Sequence, residues 1–313
     1  MPSSMQPLFR HGLTPTTTPA ASGSLADLAD FLQAYPKLFV ITGAGISQAS
    51  GIPTYRDDGG VWRSNIPIHH AEYMRDPAKR KRYWARSFGG WPNVQRAQPN
   101  QAHHALAGLE ALGIVSLLVT QNVDRLHQKA GHKKVVDLHG RMDQVLCMDC
   151  GAITARDEIQ EWLWQRNPHL ENIKAIVAPD GDAEVQQDMI DRVVTPDCQR
   201  CGGLLKPHVV FYGSSVAKHV VHELTTSLSQ SSAVLVVGSS LMVYSSYRFC
   251  KLAAEQNIPI ACINQGLTRA DELFALKINA ECGAVLGEVL DSLQQPATGV
   301  KPSAIETHSL PGR

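Results

Sequence analysis

The chain has 313 residues, 43% of them hydrophobic, and its 29 basic and 29 acidic side chains give a formal net charge of zero. That length is enough for one large domain with insertions or for two domains, with a sizeable core in either case. The zero net charge argues against a general affinity for nucleic acid or anionic membranes, and no apolar run reaches the roughly 18 residues of a membrane span.

The two ends of the chain have compositions typical of disorder. Residues 1–22 are rich in Ser, Thr and Pro, carry Arg10 as their one firm positive charge and contain no apolar stretch suited to a secretory signal. Residues 294–313 are polar, with Pro and Gly. We predict disordered tails over both ranges. Between the first tail and the first strand, the spacing of leucines predicts a helix over residues 24–34, capped by Ser24.

One stretch near the N-terminus holds a signal for cofactor binding. An apolar run at 38–41 is followed by a Gly-Ala-Gly turn at 43–45. A strand, a G-x-G turn and a helix start place backbone N–H groups under a pyrophosphate. The third glycine of a dinucleotide fingerprint is missing, and a loop at 57–62 stands where an acidic residue is expected, which argues against an ordinary NAD-dependent dehydrogenase. The polar, Gly-rich loop from residue 57 to residue 65 suits a mobile lid over the cofactor.

The rest of the chain alternates predicted strands with predicted helices. Apolar runs typical of buried strands lie at residues 114–120, 135–138, 206–212, 233–238 and 259–263. This alternation indicates an α/β fold with a parallel, doubly wound sheet. Several of these strands end in small or amide residues, which is consistent with one long crevice for a dinucleotide. The basic and aromatic segment 69–88 predicts a helix with a solvated charged face rather than a nucleic-acid patch.

Four of the seven cysteines form two C-x-x-C pairs, Cys147 with Cys150 and Cys198 with Cys201. Two such knuckles predict a tetrahedral thiolate site for one structural Zn²⁺, because four thiolates leave no open position for water. The odd total and the paired spacing favour metal binding in a reducing compartment over a disulfide framework. The gap between the pairs is longer than in a minimal zinc ribbon, so we predict an inserted helix and loop.

Taken together, these motifs resemble the sirtuins, the NAD-dependent protein-lysine deacylases, from about residue 38 to residue 290. The resemblance is carried by GAGIS at 43–47, SGIP at 50–53, YR at 55–56, TQNVD at 120–124, LHG at 138–140, the cysteine pairs, KP at 206–207, VV at 209–210, GSSL at 238–241 and Asn264. Further runs resemble class II and its mitochondrial member: RYWAR at 82–86, GWP at 90–92, APDGD at 178–182, VYS at 243–245 and YRF at 247–249.

The resemblance implies a Rossmann-like large domain that carries a small module made of a four-cysteine zinc ribbon and a helical insertion. The implied boundaries are 23–68, 105–141 and 205–293 for the NAD-binding domain, 69–104 for the helical insertion and 142–204 for the zinc-binding module. NAD and the acyl-lysine would enter the cleft between them from opposite sides.

The resemblance also implies the site residues. His139 is the expected general base, since a histidine near its usual pKa can take a ribose hydroxyl proton at neutral pH. Asp124 is expected to hold the nicotinamide carboxamide, and Asn122 to orient a water or a ribose hydroxyl. The implied cofactor-binding residues are Gly43, Ala44, Gly45, Ile46, Tyr55, Arg56, Gln121, Asn122, Asp124, His139, Gly238, Ser239, Ser240, Asn264, Gln265, Gly266 and Cys282. We expect the histidines at 103, 104, 127 and 208 to be ordinary core or surface residues.

Substrate binding is assigned to the strand-like run Val209, Val210, Phe211 and Tyr212, and to two residues of the segment 69–88. Tyr83 and Arg86 are three apart and so share one helix face. In a class II relative that prefers acidic acyl groups, a Tyr and an Arg at this spacing hold the acyl carboxylate. We therefore hypothesise that succinyl- or glutaryl-like acyl groups are accepted as well.

The expected reaction consumes NAD and an acyl-lysine protein and yields nicotinamide, 2′-O-acyl-ADP-ribose and free lysine. Two alternatives on the same fold are a protein mono-ADP-ribosyltransferase and a weakly active NAD-binding regulator. A non-catalytic scaffold is disfavoured by the intact trio of Asn122, Asp124 and His139. We expect a monomer without direct nucleic-acid or membrane partners, in the cytoplasm or, alternatively, in the mitochondrial matrix.

Overall fold

The protein is described by a computed structural model, which covers residues 23–54, 67–171 and 185–294. The strands within these ranges are β1 (Leu38–Thr42), β2 (Val115–Thr120), β3 (Val135–Asp137), β4 (Gly140–Cys147), β5 (Ile153–Ala155), β6 (Leu205–Val209), β7 (Ala233–Val237), β8 (Ile260–Ile263) and β9 (Leu276–Ile278). Outside the described residues lie the predicted tail at 1–22, the predicted tail at 294–313 except Gln294, which instead ends a helix, the predicted lid at 57–65 and the segment 172–184.

The helices alternate with these strands. They are α1 (Leu25–Ala34), α2 (His70–Arg75), α3 (Pro77–Arg96), α4 (Gln101–Ala111), α5 (Leu126–Lys129), α6 (Arg156–Arg166), α7 (Gln187–Asp191), α8 (Lys218–Ser229), α9 (Tyr244–Glu255) and α10 (Cys282–Gln294). Short 3₁₀ helices occupy Ala44–Ser50, Pro168–Leu170 and Asp271–Leu273. No helix among the described residues is both long enough and apolar enough to cross a membrane.

Six strands form one parallel sheet in the order β3-β2-β1-β7-β8-β9, which confirms the predicted α/β class. The chain leaves β1 for β2 and β3 on one side and later returns to β7, β8 and β9 on the other. The order therefore reverses between β1 and β7. Open α/β sheets bind ligands beyond the carboxyl ends of the strands at such a reversal, and the Gly-Ala-Gly turn lies there.

Both faces of this sheet are covered by helices. Leu28 of α1, Leu106 of α4 and Leu286 of α10 pack against one face. Leu224 of α8 and Phe249 of α9 pack against the other. Every residue of β1, β7 and β8 is buried, as expected for parallel strands enclosed on two sides, and this explains their unbroken apolar sequences.

The predicted helix ends are set by local hydrogen bonds. Ser24 caps α1 and forms a capping box with Asp27, as predicted. The predicted helix at 69–88 is instead two helices, α2 and α3. Asp76 separates them in an extended conformation (φ −108°, ψ 110°), because the residue before a proline avoids helical dihedrals and Pro77 starts the next helix.

The second sheet corrects one expectation. Residues 205–209 do not join the parallel sheet; β6 pairs antiparallel with β4 in a three-stranded sheet of order β5-β4-β6. Tyr73 in α2 donates its hydroxyl to the Leu205 carbonyl (2.7 Å), which also ties β6 to the helical insertion. Trp84 of α3, Leu163 of α6 and Val145 of β4 share one small core, so the helices and the small sheet form one module.

Candidate active site

A cavity of about 720 Å³ opens at the carboxyl ends of the parallel strands. Its walls come from the ends of β1, β2, β7 and β8 on one side and from Tyr83, Met142 and the run after β6 on the other. Such a volume is typical of cofactor and small-ligand sites. The cavity therefore lies between the large sheet and the small module.

Most of the predicted site residues meet in this cavity. The lining includes Gly43, Ala44, Gly45, Tyr83, Gln121, Asn122, His139, Val209, Val210, Phe211, Tyr212, Gly238, Ser239, Ser240, Asn264, Gln265 and Cys282. Ile46, Arg86, Asp124 and Gly266 are described but do not line it, and Tyr55 and Arg56 lie outside the described residues.

Two glycine turns contact each other at the base of the cavity: the Gly43–Gly45 turn after β1 and the turn at Gly238 after β7. Gly45 donates its N–H to the carbonyl of Gly238 (2.8 Å), and Gly238 has a φ of +58°, where L side chains are strained. A Cβ on Gly45 would lie 2.8 Å from the Gly238 oxygen, and a Cβ on Gly238 would collide with the Ile46 backbone nitrogen. Only glycines permit this approach, which leaves a shallow backbone surface where a diphosphate fits.

Gln121 holds the surrounding loops together. Its Nε2 donates to the Thr42 carbonyl (3.1 Å) and to Ser239 Oγ (2.7 Å), and its Oε1 accepts from Ser246 Oγ (2.9 Å). These bonds join β1, β2, β7 and α9 at one point. The predicted cofactor residue Gln121 thus fixes the walls of the cavity.

Asn122 presents an amide oxygen. Its Nδ2 donates to the Gly43 carbonyl (3.1 Å) and to Ser47 Oγ (3.0 Å), which sets the side-chain orientation. Its Oδ1 accepts no hydrogen bond from the described residues. That oxygen can accept a hydrogen bond from a hydroxyl or a water in the cavity.

Asp124 lies in a small recess rather than in the main cavity. The recess shares Ala44, Asn122 and Met142 with the cavity and therefore adjoins it. Asp124 Oδ2 accepts from Ser47 Oγ (2.8 Å) and Oδ1 from the Leu126 N–H (2.9 Å). Burial raises the pKa of this carboxyl, although the two hydrogen bonds oppose the effect.

His139 is held as a neutral base. Its Nδ1 lies 3.0 Å from the Gln121 carbonyl oxygen, and its Nε2 lies 2.7 Å from Ser245 Oγ. A carbonyl only accepts, so Nδ1 carries the proton and Nε2 is left with a lone pair, which accepts from the Ser245 hydroxyl. Burial lowers the pKa of His139 below its usual 6.5, so the ring is neutral at pH 7.

The run after β6 forms the wall opposite the sheet. Val210 donates its N–H to the His139 carbonyl (2.8 Å), which places the predicted substrate residues beside the base. The Lys206 ammonium donates to the carbonyls of Pro207 (2.8 Å) and Val209 (2.5 Å) and lies 4.7 Å from the Phe211 ring centroid. Burial lowers the pKa of Lys206 to about 8.

Tyr83 and Arg86 are not brought together at the cavity. Tyr83 lines it and packs against Phe211 with ring centroids 5.6 Å apart. Arg86 is only 8% exposed and is absent from the described lining. Among the described residues, Tyr83 is therefore placed to contact an acyl group in the cavity, and Arg86 is not placed to bind its carboxylate.

The four paired cysteines converge as predicted. All four Sγ atoms lie within 4.8 Å of one another, with 3.5 Å between Cys147 and Cys201 and 3.8 Å between Cys150 and Cys198. Tetrahedral Zn²⁺ with bonds of about 2.3 Å places its sulfurs roughly 3.8 Å apart, so the donor set fits this metal. The backbone N–H of Cys150 lowers the pKa of Cys147 to about 7, whereas the side-chain hydrogen bond with Cys150 raises the pKa of Cys201 to about 12, so the four thiols do not ionise alike.

The remaining histidines agree with the expectation of ordinary core or surface residues. His103 and His127 are buried behind β1, where His127 Nε2 lies 2.9 Å from the Thr42 hydroxyl. His104 is exposed and His208 is half-buried. None of the four lines the cavity.

Two residues at the site escaped the sequence prediction as individual contributors. Ser245 was recognised only as part of the run VYS at 243–245, and it contacts His139 because α9 brings its first turn to the end of β2. Lys206 was recognised only as part of a short motif. Its two carbonyl contacts depend on the bend after β6.

Comparison with known proteins identifies relatives over most of the chain. The model of the Sir2 family matches residues 43–245, more than half of the chain. NAD-dependent protein deacetylase 2 of Bradyrhizobium diazoefficiens is 51% identical over 263 residues, covering 84% of this chain and 96% of the relative. The NAD-dependent protein deacetylase of Bordetella bronchiseptica is 51% identical over 266 residues, covering 85% and 97%.

Solved structures give the same result. A chain from work on the mechanism and regulation of Sir2 enzymes has a TM-score of 0.68 at 31% identity, covering 86% of this chain and 97% of that one. A Sir2 protein with a p53 peptide and NAD⁺ has a TM-score of 0.69 at 27% identity, covering 86% and 98%.

Proposed function

The chain belongs to the Sir2 family, and from this premise we propose that it is an NAD-dependent protein-lysine deacylase. The reaction transfers the acyl group of a modified lysine to ADP-ribose and releases nicotinamide and free lysine. The observation that carries the assignment is the neutral His139, which opens into the same cavity as the glycine turns and the run after β6.

NAD, when bound, supplies the nicotinamide leaving group and the ribose that accepts the acyl group. The glycine turns of β1 and β7 would hold its diphosphate by backbone contacts. The recess with Asp124 adjoins the cavity and would receive the carboxamide, and Asn122 Oδ1, which accepts no hydrogen bond from the described residues, can accept one from a hydroxyl.

His139 accepts the proton at Nε2. The Gln121 carbonyl fixes the tautomer, and the Ser245 hydroxyl occupies the lone pair until a substrate hydroxyl replaces it. Because burial lowers the pKa of His139, the ring needs no prior deprotonation at neutral pH. A proton taken up at Nε2 makes a bound hydroxyl nucleophilic.

Acyl-lysine proteins are the substrates. The wall formed by Val209, Phe211 and Tyr83 is largely apolar and suits the methylene chain of a lysine. The four-cysteine site would hold one structural zinc, since its donors leave no coordination position for a substrate.

The assignment is tested by nicotinamide release with NAD and an acetyl-lysine peptide, in the wild type and in His139→Ala. We expect release only when peptide, NAD and His139 are all present. The matched control is His104→Ala, which removes an exposed imidazole outside the cavity and should leave the rate unchanged. Radiolabel from NAD fixed on protein, without peptide deacylation, would favour the mono-ADP-ribosyltransferase instead.

We also propose that the protein works as a monomer in a reducing compartment, the cytoplasm or the mitochondrial matrix. None of the seven cysteines forms a disulfide in the described structure, and burial raises the thiol pKa values of Cys250, Cys262 and Cys282, which makes these three inert rather than reactive. The large exposed apolar side chains of the described residues are few. Light scattering of the zinc-loaded protein tests the monomer, and a stable dimer would contradict it.

A further inference from the structure

Arg248 is a basic side chain at the cavity for which the described residues supply no acidic partner. It projects from the second turn of α9, and among the described lining residues no other Lys or Arg occurs. Its Nε is buried and has no hydrogen-bond partner within the described residues. Its guanidinium carbon lies 5.1 Å from the centroid of the Tyr244 ring, and no acid among the described residues pairs with it.

The position of Arg248 is just inside a rim of the cavity. Tyr244 is 52% exposed and Val243 is 36% exposed. The exposed segment 213–215 lines the same cavity. Val216, which follows that segment, packs in the same cluster as Tyr247 of α9. The two exposed segments therefore flank one opening, and a group that passes between them reaches the guanidinium.

The cofactor turns lie on the other side of a hydrogen-bonded partition. Gln121 bonds Ser239 beside the glycine turns and Ser246 of α9, and His139 bonds Ser245 of the same helix. These side chains fill the space between the glycine turns and the first turn of α9. Arg248 lies further along α9 than these two serines and also lines the cavity.

A cavity of about 720 Å³ that holds a dinucleotide admits one lysine side chain but not the polypeptide that carries it. The residues flanking the modified lysine must rest on the rim. A carboxylate there can form two parallel hydrogen bonds with a guanidinium, and the Tyr244 ring keeps the guanidinium in place.

We propose that Arg248 is a specificity-determining residue, which makes the enzyme prefer acyl-lysines that lie next to an acidic residue of the target polypeptide. The proposal rests on the deacylase function and deepens it. The carboxylate of the target polypeptide would be the ion-pair partner of Arg248, which has no acidic partner among the described residues.

The test compares kcat/KM for acetyl-lysine peptides that differ only in Glu or Gln at one position, scanned over the residues on either side of the lysine. The wild type should prefer Glu at one or more positions by about tenfold, equivalent to about 1.4 kcal/mol. In Arg248→Gln the ratio should fall to about one, and in Arg248→Lys, which keeps the charge without the planar fork, part of the preference should remain.

A charge reversal gives an independent readout. Arg248→Glu should prefer a peptide with Lys at the same position, an outcome that damage to the fold alone does not produce. The matched control is Arg166→Gln, which removes a guanidinium stacked on Trp162 (5.7 Å) in α6, away from the cavity, and should leave the Glu-to-Gln ratio unchanged.

Each contrary outcome has a distinct meaning. A wild type without preference, or a preference that survives in Arg248→Gln and Arg248→Glu, overturns the proposal. A rise in KM for NAD with an unchanged ratio assigns the guanidinium to the cofactor instead. A loss confined to succinyl-lysine in neutral peptides assigns it to the acyl group. Failure to process even the neutral acetyl peptide overturns the deacylase function itself.

Discussion

The contact between the two glycine turns gives the sharpest structural prediction, through Gly238→Ala. A non-glycine residue at a φ of +58° loses about 1–2 kcal/mol relative to glycine. The added Cβ also collides with the Ile46 nitrogen and lies 2.8 Å from the Gly45 carbonyl carbon, which is backbone and cannot rotate away. Overpacking of this kind destabilises by about 1–3 kcal/mol, so we expect a total loss of roughly 2–5 kcal/mol.

Gly113→Ala is the matched control. Gly113 has a φ of +78°, but a Cβ there would meet nothing within 4 Å. It should lose only about 1 kcal/mol, because the backbone strain is partly offset by the reduced freedom of the unfolded alanine. The two variants therefore separate the backbone conformation from the contact.

The assay is chemical unfolding together with KM for NAD. Gly238→Ala should raise KM for NAD by about tenfold or more, since a displacement near 1 Å at a binding surface is enough for such a loss. Gly113→Ala should leave KM unchanged. If Gly238→Ala matched Gly113→Ala in both stability and KM, the close approach of the turns would not form the cofactor surface.

Three further predictions concern the metal and two histidines. The purified protein should contain one zinc per chain, and its removal by a chelator should lower Tm by about 10 °C or more, because Cys147 and Cys198 belong to the same buried core as Trp84; zinc-free protein with an unchanged Tm would contradict this. In the pH profile of kcat/KM, the acidic limb should have its midpoint below pH 6.5, because burial lowers the pKa of His139 and only its neutral ring accepts a proton. A midpoint above pH 7 would exclude the buried His139 as the general base. Burial lowers the pKa of His103 to about 3. Between pH 6.5 and pH 3 the unfolded state therefore binds a proton at this imidazole and the folded state does not, so the free energy of unfolding decreases as the pH falls through this range. The difference in unfolding free energy between the wild type and His103→Asn should therefore narrow by about 1.4 kcal/mol from pH 8 to pH 5.5, and a constant difference would show that His103 titrates normally.

The parallel sheet was predictable because its strands are buried on both faces and read as unbroken apolar runs, such as residues 233–238. The Gly-Ala-Gly turn and the cysteine pairs were predictable because the ligand chemistry restricts the residues at those spacings. The strand-like run at 206–212 was assigned to the parallel sheet, but its strand, β6 at Leu205–Val209, joins the small sheet, since an apolar sequence fits either partner. Its pairing with β4 is a tertiary property.

The finer features of the site depend on packing between distant segments. Ser245 is 106 positions from His139 in sequence, and only the docking of α9 brings their side chains together. The spacing of Tyr83 and Arg86 placed both on one helix, but it did not fix which side of α3 faces the cavity. Tyr55 and Arg56 lie outside the described residues, so their predicted contacts with the cofactor stay predictions.

The most direct test of the central claim is the stoichiometry of the products, measured by mass spectrometry with NAD and an acetyl-lysine peptide. The account predicts equal amounts of nicotinamide, deacetylated peptide and O-acetyl-ADP-ribose in the wild type, and none of the three in His139→Ala. Nicotinamide formed with free acetate, or with ADP-ribose attached to protein in place of the acyl product, would contradict it.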